Sequence, residues 1–169
     1  MKIFILLLIV VVNKGVFAMG LSDAGKVCLF SGMSGVIKLN GKPAANARLV
    51  RTVNLNKDIT DETLTDENGY FEFDAIFVRT ITKFLPQEFV ASQYIMVHYN
   101  DKKYEMWNGV KRKPEENVES RGKLLVVECE LNAETNVKKV NDSPIISLCT
   151  WEAEPDPKID LEMIMKRGY

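Results

Sequence analysis

Short runs in which apolar and polar residues alternate, separated by turn-forming clusters, fill most of this 169-residue chain. A period of two marks a half-buried strand, because successive strand side chains point to opposite faces. The clearest stretch is Gly35–Phe73, punctuated by Asn40-Gly41-Lys42-Pro43 and Asp66-Glu67-Asn68-Gly69. Gly35–Leu39 is the first predicted strand, and Asn40-Gly41 predicts a tight hairpin, since both residues tolerate the positive φ it needs. In Asn46–Val53 the positions Ala47, Leu49 and Val53 alternate with Arg48, Val50 and Thr52. Arg51 falls on the apolar side. It is read either as the wet end of the strand or as a charge facing a groove, the first favoured because arginine is rarely buried. Ile59–Thr65 is the next strand. Asp66–Gly69 then predicts a hairpin in which Asp66 accepts backbone hydrogen bonds, followed by Tyr70–Phe73 with Phe71 and Phe73 on one face.

Further along, Gln93–Tyr99, Lys103–Trp107, Lys123–Leu131 and Pro144–Trp151 carry strand patterns, with Asn100-Asp101 as a turn. Two connections are longer than strand linkage requires, the insert Phe77–Ser92 and the polar stretch Asn108–Gly122. The second reads as a solvated surface loop with one helical turn after Pro114, and includes the basic cluster Lys111-Arg112-Lys113. Asn132–Ser143 reads as a polar connection between the last two strands. The apolar positions Ile159, Leu161, Met163, Ile164 and Met165 fit a period of two or a helix starting near Pro157 with Asp156 as its cap.

The beginning of the chain changes the count. Lys2 precedes an unbroken apolar run, Ile3–Val12, and Val16-Phe17-Ala18 places small residues as in a cleavage site after Ala18. This is the layout of a secretory signal peptide. The run is shorter than the roughly 20 residues a spanning helix needs, so no stable membrane insertion is expected after cleavage. Removal of residues 1–18 takes Lys2 and Lys14 and no acid. The remaining 151 residues then carry 20 Lys and Arg against 23 Asp and Glu, a net charge of −3. That balance offers nothing to neutralise a nucleic-acid backbone. The expected organisation is a signal peptide at 1–18, a lead-in segment at 19–34, one all-β domain at 35–152 and a tail at 153–169.

Export to an oxidising compartment, the periplasm, makes one disulfide expected among Cys28, Cys129 and Cys149. Cys129 with Cys149, on the two late strands, is the favoured pairing, and Cys28 is the competing partner.

A strand opening Gly35-Val36, then Asn40-Gly41-Lys42-Pro43-Ala44, then Thr65-Asp66-Glu67-Asn68-Gly69-Tyr70-Phe71, resembles the carboxypeptidase regulatory-like and transthyretin-like β-sandwich families. The resemblance covers about a quarter of the chain. It implies a single Greek-key sandwich of seven to eight strands, in most cases a non-catalytic accessory or binding domain. The chain departs from the pattern at Phe77–Ser92. With the later Tyr104-x-x-Trp107-Asn108-Gly109 it is similar to short, uncharacterised exported proteins of Gram-negative bacteria.

Candidate chemistry is sparse. His98 is the only histidine, in mid-strand, and the chain has no Gly-x-Ser-x-Gly elbow, His-Glu-x-x-His helix or phosphate-cradling loop. Asp66-x-Asn68-Gly69 lacks the further ligands and closing glutamate of a calcium loop. The three cysteines fit no zinc spacing. Asp61-Glu62 and Asp66-Glu67 flank turns, where acids are ordinary. The expectation is therefore no enzyme, no cofactor and no metal, with function in recognition of a protein partner. The most concrete version is an immunity-type inhibitor of an envelope-acting toxin. Arg79, Phe84, Phe89, Trp107 and Arg112, on the insert and beside the long loop, are the candidate contacts, since aromatics and arginine dominate interface hot spots. A carbohydrate-binding envelope module using Trp107, Trp151 or Tyr104, and a transthyretin-like hydrolase using His98, are the alternatives.

Overall fold

A computed structural model describes residues 25–80 and 86–157. The expected signal peptide, Phe84 and the helix expected near Pro157 lie outside them. The described residues form thirteen strands: β1 (Lys26–Phe30), β2 (Met33–Leu39), β3 (Lys42–Pro43), β4 (Arg48–Asn54), β5 (Asp58–Leu64), β6 (Tyr70–Phe73), β7 (Ile76–Arg79), β8 (Ala91–Tyr99), β9 (Lys102–Lys111), β10 (Leu125–Glu130), β11 (Asn136–Val140), β12 (Ser143–Ser147) and β13 (Cys149–Trp151). The all-β expectation holds. The strands lie in three sheets: a β1–β7 pair, a sheet ordered β13-β10-β2-β3 with β6 also on β2, and a six-stranded sheet ordered β11-β12-β9-β8-β4-β5.

Alternation in the sequence sets which side chains face inward. Met33, Ile37, Phe71, Phe73, Leu125 and Val127 from the second sheet meet Leu49, Val53, Ile95, Val97, Trp107 and Ile145 from the six-stranded sheet in one buried cluster. At about 25 cal/mol for each Å² of apolar surface removed from water, this cluster is the main stabilising term. The lead-in segment is itself structural: β1 pairs with β7 inside the insert, and Val27, Cys28, Leu29 and Phe30 are buried.

The turns follow the expected chemistry more closely than the connections do. Asn40 and Gly41 both have positive φ, 55° and 74°, and Asn100-Asp101 and Asn141-Asp142 repeat the arrangement. Asp66 Oδ1 accepts from the backbone N–H of Asn68 and of Tyr70, each at 2.8 Å. Gly69 has φ 74°, and a Cβ there would come within 2.4 Å of the Ile37 carbonyl oxygen. Yet Asp66–Gly69 does not close a hairpin. β5 pairs with β4, whereas β6 pairs with β2, so the turn carries the chain from one sheet to another. A local signal identifies a turn without saying which strands flank it in space. The same limit explains two further corrections. Pro144–Trp151 is two strands in different sheets, broken at Leu148, and the polar stretch 132–143 contains β11, which pairs with β12 through the unrecognised Asn141-Asp142 turn.

Closure of the second sheet comes from afar. β10 runs parallel to β2, from Leu125↔Met33 to Glu130↔Lys38, and β13 pairs antiparallel with β10, setting Cys129 opposite Cys149. These two cysteines form a buried disulfide, and Cys28 is a free, buried thiol whose pKa burial pushes up to about 11. Closing a loop of this length removes about 3 kcal/mol of unfolded-chain entropy. Cys149→Ser is therefore expected to lower stability by about that amount. The urea midpoint should match that of the reduced wild-type protein, and a variant as stable as the oxidised wild type would refute the estimate.

Candidate functional site

Two arrangements stand out, one inside the molecule and one on its surface. The inner one gathers charges that the sequence pattern had placed in solvent. Lys111, at the end of β9, and Glu119, on a one-turn 3₁₀ helix Val118–Ser120, are both fully buried, with Lys111 Nζ 2.7 Å from Glu119 Oε2. The Ser31 hydroxyl donates to Glu119 Oε2 at 2.6 Å, and Gln93 Nε2 donates to Glu119 Oε1 at 2.7 Å and to the Leu29 carbonyl at 2.9 Å. Trp107 Nε1 donates to Gln93 Oε1 at 3.3 Å, and Trp151 Nε1 to the Glu119 carbonyl at 2.9 Å. Burial alone would raise the Glu119 pKa. The Lys111 ammonium, with the Lys111, Ser31 and Gln93 hydrogen bonds, outweighs it and holds the carboxyl below its usual range.

The expected solvated loop is thus pinned into the core by its own acid. The single helical turn is present, but Val118, Glu119 and Ser120 are buried. Lys111 corrects the basic cluster in the same way: period two on β9 aims it inward with Gly109, where the carboxylate waits. Composition registered Lys111-Arg112-Lys113 as a solvated run. The inward phase of Gln93, Gly109 and Lys111 on paired strands was the signal that would have separated Lys111 from its neighbours.

Arg51 is a second correction. It is neither at a wet end nor facing a groove. Its side chain is fully buried between Leu49 and Val53, with Nε 2.9 Å and Nη2 2.5 Å from the two carboxylate oxygens of Asp61 directly opposite on β5. Nη2 also donates to the Asp74 carbonyl at 2.7 Å, and the guanidinium stacks over Phe73 and Phe30 at 4.4 and 5.2 Å. The flat, weakly hydrated guanidinium suits such a site, where a bidentate acid and aromatic faces replace water.

The surface arrangement is the outer face of the second sheet. Alternation along β10 points Val126 and Glu128 outward, with Leu124 just before the strand on the same side. β2 adds Val36 and Lys38, β6 adds Tyr70, and β13 adds Thr150. Leu124 is 79 %, Val126 56 % and Tyr70 42 % exposed. Val36, Tyr70, Val126 and Trp151 line an open groove of about 650 Å³. Its rim carries the ion pair Lys38–Glu128, and Lys123–Glu152 at 2.5 Å. Val126, buried on neither side, gives β10 its alternation, but whether that outward row stays open depended on which strands neighboured it, and that was not in the local sequence.

The described residues singled out from sequence differ in exposure. Trp107 is fully buried against Phe30 and Trp151, Phe89 is half-buried on the core, and Arg79 is exposed on β7. Arg112 is exposed and pairs with Glu88. Trp151 is buried and Tyr104 half-buried, so neither offers a flat platform to a sugar. His98 is half-buried on β8 with Arg48 and Lys103 as its cross-strand neighbours, and no hydrogen bond joins its side chain to a described residue. Among the described residues no three His, Cys, Asp or Glu side chains gather as a metal site would require, and no helix is long and apolar enough to cross a membrane.

Comparison with protein families matches residues 33–134, more than half of the chain, to a domain of unknown function, DUF6795. The chain belongs to the DUF6795 family. The matched span runs from β2 past β10, so in this DUF6795 protein it holds Gln93, Lys111 and Glu119 together with Val36, Tyr70 and Val126. Ser31 and Trp151, which complete the buried network, lie outside it. No curated protein and no solved structure matches the chain.

Proposed function

We propose that this DUF6795 protein is an exported, non-enzymatic binding protein that docks a partner protein on the outer face of its β13-β10-β2-β6 sheet. The observation that carries the reading is the exposed apolar group Leu124, Val126 and Tyr70, continuous with a groove and rimmed by paired charges. Apolar centres inside polar rims are characteristic of protein interfaces. A partner presenting a small apolar knob between charged residues fits this surface.

The buried disulfide supports export, since such bonds persist in oxidising compartments, and the N-terminal leader pattern points to the periplasm. The scaffold is read as a transthyretin-like Greek-key sandwich extended by the β1–β7 pair and by β11 and β12. An immunity-type inhibitor of an envelope-acting toxin is the most concrete form of the role, because a rigid sheet face suits the blocking of another protein's surface.

The test is affinity purification from periplasm with the wild type and with Val126→Arg and Leu124→Glu, followed by binding measurements with the purified partner. A specific protein should be retained by the wild type, and each substitution should weaken its binding at least about tenfold, the scale of a lost interface anchor. Both variants should keep the wild-type melting temperature. Unchanged binding by both, or no specific partner, would reject the proposal.

A further inference from the structure

The buried network has an asymmetry that an ordinary ion pair does not need. One carboxylate contacts both an amine and a primary carboxamide: Lys111 Nζ on Glu119 Oε2 and Gln93 Nε2 on Glu119 Oε1, each at 2.7 Å. Gln93 and Lys111 face inward from paired strands, β8 and β9, two residues apart in register, since Ala91 lies opposite Lys111 and Gln93 opposite Gly109. The carbonyl oxygen of that same carboxamide receives the Trp107 indole N–H. Lys111, Glu119 and Trp107 are fully buried and Gln93 is 1 % exposed, so water does not compete at this site.

We propose that this is a self-modification site, at which Lys111 and Gln93 become joined by an amide bond with Glu119 as the proton relay. Lys111 passes a proton from its ammonium to Glu119, and the freed amine attacks Gln93 Cδ. Trp107 Nε1–H holds the charge that develops on Gln93 Oε1, the position where a prearranged donor accelerates acyl transfer. The bond Nζ–Cδ forms and Cδ–Nε2 breaks. The nitrogen leaves as ammonia with one of the two protons given up by Lys111, and the other remains on Glu119. Nothing is oxidised or reduced and no co-reactant is consumed. One buried cation and one buried anion are replaced by a neutral amide and a neutral acid, which relieves the core of the desolvation cost of two charges. Holding the amine and the amide on the two oxygens of one buried carboxylate supplies the effective concentration that lets so poor an electrophile react once.

Peptide mapping and intact mass of the purified protein decide the matter. A linked tryptic species joining residues 84–102 to residues 104–112 is expected, with the whole chain lighter by one ammonia beyond the hydrogens lost to the disulfide. Glu119→Gln, which keeps shape and removes the base, should have its full mass and unlinked peptides. An unmodified mass in the wild type overturns the proposal and needs no variant to fold. Ammonia loss that maps instead to Asn40-Gly41 or Asn68-Gly69, as a cyclised asparagine, overturns it equally. A link that persists in Glu119→Gln removes the relay from Glu119.

Discussion

Glu119→Ala is expected to lower the free energy of unfolding by about 3–5 kcal/mol, the scale seen when one partner of a buried ion pair is removed. The loss is not that of a single bond. Lys111 would be left fully buried without its anion, Ser31 would lose its acceptor and Gln93 one of its two, and the turn at Val118–Ser120 would lose its anchor. Urea unfolding of the purified variant measures it. A double substitution, Lys111→Met with Glu119→Leu, removes both charges and should recover much of the stability, because the cost lies in the orphaned charge. A loss below about 1 kcal/mol in Glu119→Ala would show that the pair is no anchor.

The pH dependence of the same pair has a definite sign. The Glu119 carboxyl is held below its ordinary range in the folded protein, so the unfolded chain takes up its proton first as pH falls. The stabilisation is complete above the unfolded carboxylate pKa of about 4.3 and is lost as pH falls through the lower folded value. Asp156 adds in the same direction. Slight burial raises its pKa, and the Asn141 and Asp142 amides and Arg121 outweigh this. The loss of stability should therefore set in as pH falls past about 4.3 and be smaller in Lys111→Met/Glu119→Leu.

Arg51→Ala is expected to be nearly as costly, about 3 kcal/mol or more. Its side chain fills the space between Phe30 and Phe73 and ties Asp61 on the sheet edge to the Asp74 carbonyl. Removal leaves a cavity, an unpaired acid and an unpaired carbonyl together. Asp61 is 42 % exposed and partly rehydrates, so Asp61→Asn should cost less than Arg51→Ala. Thermal melts should rank the two in that order, with a fall of about 2–4 °C for each kcal/mol. The opposite order would mean that the exposed acid matters more than the buried cation.

Much of the fold was legible because strand alternation and asparagine-led turns are local. Phe71 and Phe73, the turn at Asn40-Gly41 and the Asp66 turn are all where the pattern places them. The sheet to which each strand belongs was not legible, since pairing between β2 and β10 depends on contacts more than ninety residues apart. The buried charges were misread for a related reason. Arg51 and Lys111 each sit in the inward phase of a strand, but their type argues for solvent, and only the facing Asp61 and Glu119 reverse that argument. The candidate surface at Val126 was missed because outward apolar residues become a patch only when neighbouring strands bring Val36 and Tyr70 alongside.

The parallel β2–β10 ladder also bears on when the protein can fold. A chain synthesised from its N-terminus presents Met33–Leu39 long before Leu125–Glu130 exists to cover its flank. β6 and β3 can take the other side of β2 early, but the flank reserved for β10 stays open until the last quarter of the chain is made. Such distant pairing places folding among the slower two-state cases, in milliseconds to seconds. The exposed strand edge during that interval is where misassociation with other chains would begin. Cys129 on β10 is bonded to Cys149 on β13, so the disulfide fastens this late strand to its other neighbour in the same sheet.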